Sequence, residues 1–138
     1  MSEYLQQFIK QHVPNIESHM YNLVQEIQGP QVLKESMLYS LEAGGKRIRP
    51  LFVAAVCEMF NEPQNAMYTV GSAIEIIHTY SLMHDDLPCM DDDDMRRGKP
   101  TNHKVFGEAL AVLAGDALNS MAFGLLATMP NVSGEQRL

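Results

Sequence analysis

Six aspartates and three cations stand close together in the run HDDLPCMDDDDMRRGKPT, which begins at His84. They are Asp85, Asp86, Asp91 to Asp94, Arg96, Arg97 and Lys99. Proteins usually hold Mg²⁺ with one or two carboxylates together with the phosphates of a substrate. Guanidinium groups bind phosphate oxygens two at a time and stay charged at neutral pH. The combination indicates a site for a metal-bridged polyphosphate, and the alternative is a solvated acidic surface loop.

A second charged motif, GGKRIRP, lies upstream at residues 44–50. Its three cations are Lys46, Arg47 and Arg49, and its two glycines let a ligand approach the backbone closely. Such a loop suits a diphosphate that is bound without metal. Basic loops at helix junctions are mostly solvated, so the motif is weak by itself. Its pairing with the aspartate run is what makes a polyphosphate site specific.

Proline and apolar spacing predict that helices position both motifs. Pro14, Pro30, Pro50 and Pro63 each stand at or just before a predicted helix start, where a missing N–H costs least. Strand signals are almost absent, so the chain is predicted to be all-α and one domain over residues 1–138. The predicted helices are Ser2 to His12, Asn15 to Gln28, Gln31 to Ala43, Leu51 to Phe60, Gln64 to Asp86 and Lys104 to Met129.

Helix geometry relates the aspartates to one another. Asp85 and Asp91 are six residues apart and would diverge by about 120° on an ideal helix. Pro88 cannot donate to the carbonyl of His84, so the helix is predicted to end there. A loop can then return Asp91 to Asp85. His78 precedes Asp85 by seven residues, so the two share a helix face about 10 Å apart along the axis.

Composition sets broad limits. The chain has 138 residues, 46% of them apolar, which is enough for one modest core. No run of eighteen apolar residues and no signal-peptide core occur, so we expect a cytoplasmic protein without stable membrane association. The net charge of −7 argues against nucleic acid as a partner. Cys57 and Cys89 lack metal-ligand spacing and are expected to be reduced thiols.

The motifs resemble those of the trans-type isoprenyl diphosphate synthases. The resemblance rests on GGKRIRP, on His78 in IEIIHTYSLMHDD, on DDLPCMDDDD followed by RRGKPTNH, and on FGEALAVLAGDAL. It implies an isoprenoid-synthase-type helical bundle, of which this chain is the N-terminal half, ending before a second aspartate-rich motif. Members are about twice as long. The chain alone is therefore expected to be inactive, and the full-length parent is expected to be a homodimer.

The resemblance also implies roles for individual residues. The reaction is the head-to-tail condensation of isopentenyl diphosphate with geranyl or dimethylallyl diphosphate to give farnesyl diphosphate, with Mg²⁺ as cofactor. The residues implied for catalysis at the allylic diphosphate are Asp85, Asp91 and Arg96. Those implied for metal binding are Asp85, Asp86 and Asp91. Those implied for isopentenyl diphosphate are Lys46, Arg49, His78 and Arg97, while Arg96 contacts the allylic substrate.

Product length is predicted from the helical turn before the aspartates. Ser81 and Tyr80 lie four and five residues before Asp85, beneath the diphosphate, where a growing hydrocarbon tail must run. A bulky Tyr80 would close the pocket after a fifteen-carbon product. Geranylgeranyl diphosphate or another chain length is the alternative product, and a plain core aromatic is the alternative role for Tyr80.

Two other classes of protein compete with this interpretation. A metal phosphohydrolase could use His84 and Asp85 as an HD pair, but it needs further histidine ligands that the sequence does not arrange. A non-catalytic metal-binding partner subunit could use the acidic run. An EF-hand loop starting at Asp91 would have Arg96 where glycine is required. Neither alternative explains GGKRIRP.

Overall fold

Helices dominate the structure, a computed structural model that describes residues 2–137. The all-α prediction is confirmed, apart from one short β-hairpin. In chain order the elements are α1 (Glu3–Glu26), α2 (Gln31–Leu41), α3 (Ile48–Phe60), α4 (Gln64–Asp85), β1 (Met95–Arg96), β2 (Lys99–Pro100), α5 (Asn102–Phe106), α6 (Glu108–Ala127) and α7 (Gly134–Arg137).

Helix α4 occupies the centre of the bundle and packs against α1, α2, α3 and α6. The buried apolar core comes from four helices, and its members are Met20, Val24, Met37, Leu41, Ala73, Ile76, Met83, Ala114, Leu118 and Ala122. Full burial of a large apolar side chain contributes about 1.5–3 kcal/mol. This core fixes α4, which carries His78 near its middle and Asp85 at its last residue.

A glycine allows α4 and α6 to approach closely. A Cβ atom added to Gly115 would collide with the imidazole ring of His84. With glycine there, His84 Nε2 lies 3.1 Å from the carbonyl oxygen of Val112 on α6. The C-terminal turn of α4 is thereby held against α6, immediately before the aspartate run.

The predicted helix break at Pro14 is wrong, because α1 continues through it from Glu3 to Glu26. A proline inside a helix costs about 3 kcal/mol. His12 and Ile16, on either side of Pro14 and four residues apart, are both fully buried on the same helix face. Tertiary packing on both sides therefore overrides the local cost.

The predicted single helix from Lys104 to Met129 is also wrong. Gly107 has φ +84° and ψ 156°, which no α-helical residue adopts, and it separates α5 from α6. Other predicted helix ends differ from the structure by a few residues. The capping-box spacing of Ser133 and Gln136 does open a helix, α7, with reciprocal side-chain bonds of 3.0 and 3.3 Å.

The β-hairpin was not predicted from the sequence. Its register pairs Met95 with Pro100 and Arg96 with Lys99. The two turn residues, Arg97 and Gly98, have φ values of +52° and +78°, which is typical of a type I′ turn. The hairpin therefore turns back tightly just after the aspartates.

A buried amide network holds the segment after the hairpin. Asn102 accepts from Ser36 Oγ at 2.9 Å and donates to Ser40 Oγ at 2.8 Å and to the Ser36 carbonyl oxygen at 2.9 Å. Tyr39 adds a hydrogen bond of 2.8 Å to the Pro100 carbonyl. The hairpin is therefore anchored to α2.

Helix α6 is long and apolar enough to cross a membrane, judged by length and composition alone. In this structure it contributes Ala114, Leu118 and Ala122 to the core beside α4. A core helix of a water-soluble bundle has the same composition.

Candidate active site

The aspartate-rich loop, residues 85–94, begins where α4 ends. The backbone N–H of Asp91 donates to the carbonyl oxygen of Asp85 at 2.8 Å, and the N–H groups of Met90 and Asp92 both donate to Leu87 at 2.9 and 3.1 Å. The loop therefore returns Asp91 to Asp85, and the predicted helix end before Pro88 is confirmed. Asp85 is half-buried and Asp91 is exposed.

Asp86 behaves differently from its neighbours. It is only 3% exposed, and both of its carboxylate oxygens accept hydrogen bonds from Arg96 Nε, at 2.7 and 2.9 Å. Arg96 Nη2 also pairs with Asp86 at 2.5 Å and with Asp93 at 3.3 Å. Asp86 raises the pKa of Arg96 further above its ordinary value. The structure thus places Asp86 and Arg96, predicted to contact metal and substrate, in contact with each other.

Asp85 and Asp91 keep their carboxylates available. Within residues 2–137 neither side chain accepts a hydrogen bond or forms an ion pair. Both lie beside the C-terminus of α4, where the helix dipole is negative and favours a cation. Hard oxygen donors without protein partners fit a divalent cation such as Mg²⁺.

A second acidic group lies further along the loop. Asp92, Asp94 and His103 each offer one ligand atom, and these atoms lie within 4.8 Å of one another. None of these three residues was among the metal ligands predicted from the sequence. Lys104 Nζ is 2.6 Å from Asp94 Oδ1, and this hydrogen bond lowers the pKa of the Asp94 carboxyl. A metal at this group therefore competes with Lys104.

The basic loop, residues 44–50, forms one wall of a second site. A cavity of about 480 Å³, named the cationic cavity here, lies between this loop, α4 and the hairpin turn. All four residues predicted to bind isopentenyl diphosphate line it: Lys46, Arg49, His78 and Arg97. Lys46 and Arg49 are exposed, so their charges face the solvent and the cavity.

Arg97 reaches the basic loop across the cavity. A Cβ atom added to Gly45 would lie 2.7 Å from both Cζ and Nη1 of the Arg97 guanidinium. Gly45 also has φ +136°, which L side chains rarely adopt. This position therefore needs glycine for two reasons, backbone conformation and the close approach of Arg97.

Two groups that line the cavity, His78 and Arg97, have pKa values shifted toward loss of positive charge. Burial lowers the pKa of His78, and the charges of Arg49 and Arg97 lower it further, against an opposing effect of Glu75. Partial burial and the charge of Arg47 lower the pKa of Arg97, again opposed by Glu75. Crowded cations of this kind are stabilised by an anion.

Comparisons with known proteins agree with this geometry. Residues 30–136 match the model of the polyprenyl synthetase family. The chain belongs to the polyprenyl synthetase family. It is 53% identical to the farnesyl diphosphate synthase of Bacillus subtilis over 140 residues, which cover 100% of this chain and 47% of that protein. It is 55% identical to the chloroplastic geranylgeranyl pyrophosphate synthase of Catharanthus roseus, over 81% of this chain and 31% of that protein.

A solved structure extends the comparison to the fold. The apo structure of an FPP/GFPP synthase from Zymomonas mobilis superposes with a TM-score of 0.91 at 45% identity, and the match covers 99% of this chain and 50% of that one. The predicted isoprenoid-synthase bundle is therefore confirmed. The chain spans about half the length of the Bacillus and Zymomonas proteins and about a third of the Catharanthus protein.

The two residues predicted to set chain length lie on the α4 turn before the aspartates. Tyr80 is half-buried, packs against the core, and its ring meets that of His84 edge to face at 4.8 Å. Ser81 donates to the carbonyl oxygen of His78 at 2.9 Å and lines a neighbouring cavity of about 300 Å³ with Arg49 and His78. Their roles in this polyprenyl synthetase stay predictions.

Sequence reasoning missed Glu75 in the cationic cavity and gave Gly45 only a general role. Glu75 is buried and lines it, three residues before His78 on α4. An i, i+3 spacing places two side chains on one helix face. The location of Glu75 beside the cavity could therefore have been predicted from that of His78. Gly45 carried only a general glycine signal, since its need depends on Arg97, which lies far along the chain.

Proposed function

We propose that this chain forms the two diphosphate sites of a Mg²⁺-dependent prenyltransferase that condenses isopentenyl diphosphate with an allylic diphosphate. One observation carries the proposal. The aspartate-rich loop and the cationic cavity are sites of opposite charge that adjoin the same helix, α4. Two consecutive hairpin residues serve them, Arg96 at the aspartate-rich loop and Arg97 at the cationic cavity. A reaction between two diphosphates, of which only one leaves, requires two anion sites with unequal metal use.

In this proposal the aspartate-rich loop serves the allylic substrate. Asp85 and Asp91 hold Mg²⁺, which when bound neutralises the departing diphosphate. Asp86 keeps Arg96 beside that site by binding Nε and Nη2, so the remaining guanidinium nitrogen, Nη1, can contact the same diphosphate. Asp92, Asp94 and His103 are a further position for a divalent cation.

The cationic cavity serves isopentenyl diphosphate. Lys46, Arg49 and Arg97 bind its diphosphate without metal, and His78 adds a donor from α4. Binding next to the allylic site holds the alkene of isopentenyl diphosphate close to the reacting carbon.

The chemistry follows from this arrangement. The allylic C–O bond breaks, and the diphosphate leaves with the bonding electrons. The alkene of isopentenyl diphosphate then forms a bond to the allylic carbon. Loss of a proton from the resulting cation gives the longer allylic diphosphate. Fixed cations that face the departing anion are the main source of rate acceleration in such a site.

A chimera tests the proposal with residues 1–138 in place. We would join this chain to the C-terminal half of the Bacillus subtilis farnesyl diphosphate synthase and supply labelled isopentenyl diphosphate, geranyl diphosphate and Mg²⁺. We expect farnesyl diphosphate from the chimera, none from the Asp85→Asn chimera, and none from the 138-residue chain alone. A folded chimera without condensation, beside an active Bacillus enzyme, would contradict the proposal.

Product length is the finer part of the proposal. We propose that Tyr80 limits the product to fifteen carbons, and we expect Tyr80→Ala in the same chimera to give geranylgeranyl diphosphate or longer products. The alternative, a geranylgeranyl synthase, is supported by relatives of that name. It requires a twenty-carbon product from the unaltered chimera, which product chromatography distinguishes.

The rival phosphohydrolase interpretation finds no support at His84. Its Nε2 lies 3.1 Å from the Val112 carbonyl oxygen and its ring packs against Tyr80, so His84 faces α6 and does not join Asp85 in a metal site. A cytoplasmic, homodimeric parent without membrane or nucleic-acid partners completes the proposal. Exposed Leu113 and Phe123 on α6 provide apolar surface for such a dimer.

A further inference from the structure

Arg47 is the one cation of the basic loop that is buried, with 2% of its surface exposed. Its Nε donates to Glu17 on α1 at 2.8 Å, and its Nη1 donates to Glu75 on α4 at 2.9 Å. Nη2 donates to the Leu41 carbonyl oxygen at the end of α2 at 2.6 Å. A single guanidinium therefore links three helices to the loop.

The charge of Arg47 is fully compensated by these contacts. It faces two carboxylates, and Oε2 of Glu75 is buried without a hydrogen-bond partner among residues 2–137. One positive and two negative charges leave the cluster with a net negative charge. Arg47 also lines the cationic cavity, but its two carboxylate partners outweigh its charge, so the cluster as a whole adds no net attraction for an anion there.

The backbone of Arg47 determines where its neighbours lie. Arg47 has φ +48°, a left-handed conformation that is unfavourable for a residue with a side chain. Its carbonyl accepts from Leu51 N at 3.1 Å and so opens α3. Lys46 precedes it and Arg49 follows it by two residues, and both are exposed on the cavity. The buried side chain holds this strained turn in place.

We propose that Arg47 is a positioning residue for the cationic cavity: pinned by Glu17, Glu75 and the Leu41 carbonyl, it places Lys46 and Arg49 for a diphosphate that it does not touch. The inference rests on the proposed function of the cavity. The alternative is that Arg47 is purely structural, so that it stabilises the bundle but has no effect on anion affinity.

Calorimetric titration of this chain with inorganic pyrophosphate, in buffer with a chelator to remove metal, measures the effect directly. We expect Arg49→Met to weaken binding about tenfold or more, because a charge-assisted contact is lost. We expect Arg47→Lys to weaken binding about fivefold, since one amine cannot keep three partners. Lys10→Met removes the same charge from a residue outside the cavity and should change affinity less than twofold.

Glu17→Ala gives a test in which two explanations predict opposite signs. Glu17 does not line the cavity, and its loss makes the protein less negative, so long-range electrostatics alone predicts tighter pyrophosphate binding. If Glu17 holds Arg47 in position, binding becomes weaker instead. This variant also serves if Arg47→Lys fails to fold, because Glu17 is less buried than Arg47.

Coupling shows whether Arg47 acts through its neighbours. In the Arg47→Lys, Arg49→Met double variant we expect the combined loss to be smaller than the product of the two single losses. Circular dichroism at the titration temperature confirms that each variant is folded.

The outcomes separate the two claims. Wild-type affinity in folded Arg47→Lys and in Glu17→Ala, with weakened binding in Arg49→Met, would overturn the positioning role and leave the cavity assignment standing. A folded wild-type chain that binds pyrophosphate no better than Arg49→Met would remove the diphosphate site itself.

Discussion

The aspartate-rich loop and the basic loop each place one charged residue of their motif in a buried ion pair and leave others free for ligands. Asp86 pairs with Arg96, ten residues later, and the side chains of Asp85 and Asp91 have no partner among residues 2–137. Arg47 pairs with Glu17 and Glu75, which are 30 and 28 residues away, and leaves Lys46 and Arg49 exposed. The acidic loop is therefore fixed by local contacts and the basic loop by the whole bundle.

Breaking each of the two ion pairs is expected to lower the free energy of unfolding by different amounts, and this is the largest expected difference between the loops. Arg47→Met leaves two carboxylates facing each other, one of them buried, and we expect a loss of about 3–5 kcal/mol of unfolding free energy. Asp86→Asn should cost about 1–3 kcal/mol, because Arg96 is 31% exposed and remains partly solvated. Urea unfolding followed by circular dichroism measures both. Equal losses would remove the distinction between local and global support.

Metal binding should distinguish the carboxylates within the acidic loop. We expect Asp85→Asn to weaken Mn²⁺ binding by roughly 10- to 100-fold, the range seen even for groups that only support a metal ligand. Asp92→Asn should have a smaller effect, because Lys104 already holds Asp94 in its group. Water-proton relaxation with Mn²⁺ reports the affinity. The reverse order would transfer the main site to Asp92, Asp94 and His103.

A pair of glycines sharpens the test on the basic loop. Gly45→Ala forces the Arg97 guanidinium away and adds backbone strain of about 1–3 kcal/mol, so we expect pyrophosphate affinity to fall about tenfold. Gly44→Ala is the matched control, since Gly44 also has positive φ (+78°) but open space around it. It should lose stability and keep affinity. Equal affinity losses would show that Arg97 has no part in binding.

The smallest expected effect is a change in the pKa of His78. Arg49→Met removes a positive charge that lowers this pKa, so the pKa of His78 should rise toward its ordinary value of 6.5. Bound pyrophosphate should raise the pKa in the same direction, and binding should then take up a proton as the pH falls through the higher pKa. NMR titration of the imidazole signals reports both. If Arg49→Met leaves the pKa of His78 unchanged, the two side chains are too far apart to interact.

The difference between the two loops also explains how much could be predicted from the sequence. The return of Asp91 to Asp85 depends on Pro88 and a few backbone hydrogen bonds, so local chemistry was sufficient. The pairing of Asp86 with Arg96 was not predicted, although both residues lie in the same charged run and local chemistry could have indicated it. Arg47 was counted only as one of three cations in its motif, and its buried ion pairs were not predicted because its partners on α1 and α4 become neighbours only in the folded chain.

The two main errors in the predicted helices have different origins. Pro14 carries a strong local signal for a helix end, and burial of His12 and Ile16 overrides it. Gly107 carries a moderate local signal, and its positive φ does divide α5 from α6. Arg97 and Gly98 form a hairpin turn whose residues are not the usual Asn-Gly pair, so the two short strands had no distinctive pattern.

The hairpin turn has a consequence for how the two sites communicate. Arg96 and Arg97 are consecutive, so their Cα atoms are separated by one peptide unit of about 3.8 Å, and the tight turn leaves that unit little freedom. If the hairpin shifts so that Arg96 moves toward its ligand, Arg97 must move as well, and its position against Gly45 changes. The six-residue hairpin thus works as a rigid spacer, and the separation of the two bound anions is set by the two consecutive arginines that contact them.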